Sequence, residues 1–133
     1  MRIARLAHLE DLVYRLPGQL EAEVYEGGVT LSTGQRQLLA IARAMSYDPK
    51  VLILDEATAN IDSETEHLIQ QALERLFQGR TTLVIAHRLS TIRQADRILV
   101  LHNGQIVEHG TQEDLLSRRD FYYRLHQLQF ASP

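Results

Sequence analysis

The period of the apolar positions changes several times along the chain, and each change marks an element. Ile3, Leu6, Leu9, Leu12, Val13 and Leu16 recur at nearly helical spacing, which predicts one helix over 3–16, ended by Pro17-Gly18. A polar, acidic connection with Glu21, Glu23 and Glu26 then closes on Gly27-Gly28, a pair suited to a turn that side chains would obstruct. The next helix opens at Ser32 and runs through Leu38, Leu39, Ile41, Ala42 and Met45, with Arg36 and Arg43 facing outward, until Asp48-Pro49 stops it. Ser32 with Gln35 three residues on is a capping box, in which each side chain satisfies a backbone donor near the other residue.

After Pro49 the helical period disappears. Val51 to Leu54 are consecutive apolar residues, too few for a helix, and they predict a strand buried on both faces of a helix-covered parallel sheet. Ser63-x-x-Glu66 predicts a second capping box, opening a helix with Leu68, Ile69, Ala72, Leu73, Leu76 and Phe77 on one face and Gly79 as its C-terminal cap. Thr81 to Ala86 repeat the buried-strand pattern and end on His87. A short helix over 90–95 and a third strand from Arg97 to Leu101 follow. His102-Asn103-Gly104-Gln105 reads as a hairpin with Asn-Gly in the tight turn, returning through Ile106, Val107 and Glu108. Thr111 caps a short helix carrying Leu115 and Leu116. Phe121, Tyr122, Leu125, Leu128 and Phe130 then place a last amphipathic helix, whose aromatic residues read as packing. Strands alternating with helices make the fold class α/β: a mostly parallel sheet flanked by helices, with a C-terminal hairpin and helices.

Composition narrows the function classes. A chain of 133 residues is one domain at most, and 44% hydrophobic content supports a packed core. A net charge of −3 gives no electrostatic case for nucleic acid or an anionic membrane surface. With no cysteine there are no disulfides and no thiolate metal sites. No apolar run is long enough to span a bilayer, so no direct membrane insertion by this chain is expected. The six histidines lack ligand spacing, and no H-E-x-x-H occurs.

The candidate chemistry stands at strand ends and at one helix start. Asp55 and Glu56 follow the first strand directly, where ligands of open α/β sheets bind. His87 stands just past the second strand. The unpaired amides of a helix N-terminus favour an anion, and Ser32 with Gly34 suits a phosphate there; plain capping accounts for the same residues.

Taken in order, these motifs resemble the nucleotide-binding domain of ATP-binding cassette (ABC) transporters, and the exporter type most closely. Leu31-Ser32-Thr33-Gly34-Gln35 is similar to that family's signature motif, usually L-S-G-G-Q. Val51 to Glu56 is similar to its Walker B strand with the catalytic glutamate, Ala59-Asn60-Ile61-Asp62 to its D-loop, and His87 to its switch histidine. The resemblance extends over nearly the whole chain. It implies a partial P-loop NTPase-like domain, with 1–48 the end of the helical subdomain and 49–133 the Walker B, D-loop, switch-histidine and C-terminal region.

The resemblance further implies ATP and Mg²⁺ as cofactors. Asp55 would hold Mg²⁺ through water, Glu56 would act as general base toward the attacking water, and His87 would contact the γ-phosphate. A second nucleotide-binding domain would pair head to tail, so that Ser32, Thr33, Gly34 and Gln35 reach the ATP of the partner and Asp62 lies at the dimer interface. A transmembrane domain would be the other partner, at the cytoplasmic face of the cell membrane. Thr33 departs from the usual glycine, placing a β-branched residue where close approach to phosphate is wanted. Asn60 and Ile61 also depart from the commoner D-loop residues.

No phosphate loop of the form G-x-x-x-x-G-K-[ST] occurs, and Lys50 is the only lysine. The chain therefore reads as the C-terminal portion of such a domain, inactive when isolated. The alternative is a non-catalytic half-domain acting only in binding or dimerisation. A chromosome-maintenance or DNA-repair ATPase shares the signature and Walker B logic but needs flanking coiled coils, and no heptad run is present.

Overall fold

A computed structural model describes residues 1–23, 31–55, 61–86 and 89–130. The described residues fall into two compact units divided between Val84 and Ile85.

In the first unit, the expected single helix over 3–16 is two helices, α1 (Arg2–Leu6) and α2 (Glu10–Arg15). The break has a local cause. His8 adopts a left-handed conformation (φ 54°), the Leu9 N–H donates to the Ala4 carbonyl at 2.8 Å, and the His8 N–H donates to that of Arg5 at 3.3 Å. This is the Schellman ending of a helix, with histidine at the position glycine usually takes. Arg75 holds it from far along the chain, its Nη1 donating to the Leu6 carbonyl at 2.8 Å and to His8 Nε2 at 3.0 Å. Burial and the Arg75 charge both lower the pKa of His8. Pro17 ends α2 as expected, by forcing Leu16 into extended backbone.

α3 (Thr33–Tyr47) buries Leu38, Ile41 and Ala42. α4 (Ser63–Phe77) buries Ile69, Ala72, Leu73 and Leu76, the i, i+3, i+4, i+7 stripe of a core-facing helix. Together with Ala4, Ala7, Leu9 and Leu52 these side chains form one core. Arg80 closes its far end: Nε donates to the Pro49 carbonyl at 3.1 Å, Nη1 to that of Leu76 at 2.5 Å, and Nη2 pairs with Asp48 Oδ1 at 2.6 Å.

β1 (Val51–Asp55) and β2 (Thr81–Ile85) are neighbours in a small parallel sheet joined through α4. The Thr81 N–H donates to the Lys50 carbonyl at 3.1 Å, so the strands start side by side. The sequence pattern implies burial on both faces, and here the strands differ. Leu52 packs into the core, whereas Val51, Ile53 and Leu83 are 61%, 73% and 53% exposed. Among the described residues, helices cover only the Leu52 face, because period-two geometry sends alternate side chains to the other side.

The second unit holds α5 (Leu89–Arg93), β3 (Ile98–His102), β4 (Gln105–Gly110), α6 (Gln112–Arg118) and α7 (Phe121–Phe130). β3 and β4 pair antiparallel, with His102 opposite Gln105. Asn103 and Gly104 between them both have positive φ (50° and 76°), the two-residue turn that Asn-Gly favours. Pairing passes from Val100–Glu108 to Leu101–Ile106, so Val107 is a bulge in β4. Thr111 and Asp114 make a capping box at α6. Glu108 Oε2 accepts the Tyr122 N–H at 2.6 Å, capping α7 from the neighbouring strand. Val100, Leu115 and Tyr122 form this unit's core.

Candidate functional site

The starts of α3 and α4 carry most of the site residues that the structure describes. Ser32 is the N-cap of α3. Its Oγ accepts the Gln35 N–H at 3.2 Å, and Gln35 Oε1 accepts the Ser32 N–H at 2.9 Å. The capping box expected from the sequence is therefore formed, and it engages both side chains. Both side chains act in the box as acceptors, so the Ser32 hydroxyl hydrogen and the Gln35 side-chain amide can still donate to a phosphate without leaving it.

Thr33 and Arg36 form a second layer on this turn. Arg36 is exposed, as its sequence position suggests, with its guanidinium lying along the turn: Nη1 donates to the Leu31 carbonyl at 2.7 Å and Nη2 to Thr33 Oγ1 at 3.1 Å. The hydroxyl that replaces the usual glycine thus has a partner of its own. The first turn of α3 holds no acidic residue, and its arginine adds positive charge where the helix dipole is already positive. Such a helix start is electrostatically suited to an anion.

Gly34 is buried against α4. A β-carbon there would overlap Thr65 Cγ2 and stand 3.3 Å from Thr65 Cβ and 3.5 Å from Ile61 Cγ2. The sequence suggests close approach to phosphate as the use of this glycine; the contact found is close approach of two helices. Asp62 lies on the other side of Thr65. Its Oδ1 accepts the Thr65 N–H at 2.8 Å, which makes Asp62 the N-cap of α4. The expected Ser63–Glu66 box is replaced by this cap one residue earlier, where a carboxylate accepts the amide better than a hydroxyl does. The Thr65 amide and then its hydroxyl hold the Asp62 carboxyl below its usual range.

Asp55 is the last residue of β1 and is exposed at the carboxyl end of the strand. An exposed carboxylate there fits Mg²⁺, which takes one or two carboxylates and completes its shell with water and phosphate oxygens. Among the described residues no group of three or more His, Asp or Glu side chains is gathered as a metal cluster. Glu56, Ala59, Asn60 and His87, like the Gly27-Gly28 turn, lie outside the described residues. The structure thus brings Ser32, Thr33, Gly34 and Gln35 together with Asp62, through Thr65. The sequence offered no sign of Thr65 beyond its place three residues after a capping aspartate.

Comparison with known proteins gives this arrangement a context. The ABC transporter family model matches residues 5–59. The chain is 57% identical over 127 residues to the ATP-dependent lipid A-core flippase of Syntrophus aciditrophicus, covering 96% of this chain and 21% of that protein. It is 56% identical over 131 residues to the flippase of the same name from Ralstonia nicotianae, covering 98% and 22%. A probable multidrug resistance ABC transporter ATP-binding/permease protein of Bacillus subtilis is 57% identical over 120 residues, covering 90% and 18%. The chain spans about a fifth of the length of the curated relatives it matches. Among the described residues, no helix is long and apolar enough to cross a membrane.

Proposed function

The chain belongs to the ABC transporter family, and from that premise we propose that it forms part of the ATP-binding and ATP-hydrolysing engine of an exporter at the cytoplasmic face of the membrane. The observation that carries this reading is the packing of Gly34 on Thr65, which sets the Ser32–Gln35 helix start beside the α4 start capped by Asp62. In this reading two such domains pair head to tail. Ser32, Gly34 and Gln35 then meet the γ-phosphate of ATP held by the partner, and Asp62 lies at the interface between them.

The chemistry follows from residue types. Phosphoryl transfer is catalysed mainly by positioning and charge stabilisation. Asp55 would hold Mg²⁺ through water, and the ion would supply neutralisation of charge on the phosphate oxygens. Glu56 takes the proton of the attacking water as general base, and His87 orients the γ-phosphate. The 133 residues contain no G-x-x-x-x-G-K-[ST], so on its own this polypeptide turns over no ATP; the complete domain does. A transmembrane domain would be the other partner. No cargo is assigned, because relatives named for lipid A-core and for multidrug resistance match the chain equally well. The stretch they share does not track cargo.

The test is ATP hydrolysis by the complete protein with Glu56→Gln. Loss of the base should abolish most turnover and leave ATP binding, since Asp55 is retained. Turnover within about twofold of the parent, below the usual contribution of a general base, would show that Glu56 is not the base.

A further inference from the structure

One guanidinium ties the break between α1 and α2 to α4. Arg75 Nη1 lies 2.8 Å from the Leu6 carbonyl oxygen and 3.0 Å from Nε2 of the partly buried His8. A guanidinium has donors only, so His8 Nε2 must be the acceptor. The imidazole is therefore neutral, with its proton on Nδ1. A second proton would occupy the lone pair that Arg75 uses and set two cations 3.0 Å apart. Arg75 would then keep the Leu6 carbonyl alone of these two partners.

We propose that Arg75 and His8 form a proton-sensitive latch, which holds the α1–α2 break on α4 while His8 is neutral and releases it when His8 takes up a proton. The latch guards a shared core, because Ala4, Ala7 and Leu9 around the break pack with Leu38 of α3 and Ile69 of α4. It does not depend on the hydrolytic reading. The surroundings of His8 act in the same sense. Burial first, then the charges of Arg75 and His67 on α4, hold its pKa below the ordinary 6.5. Glu10 of α2 opposes them, but its carboxylate is engaged by Arg5 Nε at 3.0 Å.

The sign follows from linkage. Undocked, His8 titrates near its ordinary value of about 6.5; docked, it binds a proton more weakly. Docking is therefore at full strength above about pH 6.5 and weakens as pH falls below it. One unit lower, at about pH 5.5, the undocked population should have risen about three- to tenfold.

Hydrogen exchange over residues 2–15 of the complete protein, corrected for the intrinsic pH dependence of amide exchange, reads that population. Protection in the parent should fall about three- to tenfold between about pH 7.5 and pH 5.5. His8→Asn tolerates the left-handed backbone and keeps an acceptor for Arg75 without titrating, so it should show no such step. His67→Gln should keep the step. Arg75→Met should start less protected and show a smaller step, since burial of His8 remains. The latch is overturned if the parent shows no step, if His8→Asn steps like the parent, or if His67→Gln abolishes the step. A parent-sized step in Arg75→Met would also overturn it, by placing the whole effect in burial; that comparison decides even if His8→Asn fails to fold.

Discussion

Gly34 of α3 lies so close to Thr65 of α4 that no β-carbon fits between the two helices. Two effects oppose each other when alanine is placed there. Alanine is the better helix former by about 1 kcal/mol, whereas forcing a methyl into a filled contact costs typically about 1–3 kcal/mol. The overlap falls on a β-branched side chain whose χ1 is restricted in a helix, so the cost should win. Gly34→Ala is expected to lower the urea midpoint, and an unchanged or raised midpoint would show that the helices part without strain.

Ser32→Ala removes the side-chain half of the capping box and should destabilise the protein by about 1 kcal/mol. If Ser32 also meets phosphate, the same change should weaken ATP-driven dimerisation of the complete domain, measured by light scattering. Unchanged dimerisation would leave Ser32 a helix cap alone.

Asp62 makes a prediction about pH. Bonds from the Thr65 amide and hydroxyl hold its carboxyl below the usual value of 3.8. A lowered pKa in the folded state means stability that is fully present above the unfolded value and lost as pH falls through the folded one. Asp62→Asn keeps a side-chain acceptor at the cap without titrating. Denaturation followed from about pH 6 to pH 3 should therefore show a shallower acid decline in Asp62→Asn than in the parent. Parallel declines would mean the Thr65 bonds do not favour the charged form.

Arg80 bonds two carbonyls and the Asp48 carboxylate while only 16% of its side chain is exposed. Hydrogen bonds to charged groups contribute about 1.5–3 kcal/mol. Arg80→Met should therefore cost about 3 kcal/mol in chemical denaturation. Arg80→Lys should recover little, since a single ammonium cannot replace the planar fork. Full recovery by lysine would show that charge, not geometry, holds this corner.

What the sequence makes legible here is local. The Ser32–Gln35 box, the Asn103-Gly104 turn and the Thr111 cap each depend on residues within a few positions of one another, and each stands where the pattern places it. The break at His8 depends on Arg75, 67 residues away, and no periodicity carries that. At the start of α4, Asp62 and Ser63 are both good caps, so sequence alone leaves the choice open by one residue. The open faces at Val51, Ile53 and Leu83 were unreadable for a related reason: an apolar run predicts a strand, but what covers it is a property of the rest of the fold. Glu56 and His87 are legible only as motif positions.

The central claim, that this chain carries the hydrolytic half of an ATP site, is tested most directly by phosphate release. The complete protein and its Glu56→Gln variant would be compared at saturating Mg-ATP, with nucleotide binding measured in parallel. General bases contribute about 10²–10⁴ in rate, so the variant should turn over at least about a hundredfold more slowly while binding ATP like the parent. Turnover within about twofold of the parent, below any such contribution, would contradict the claim.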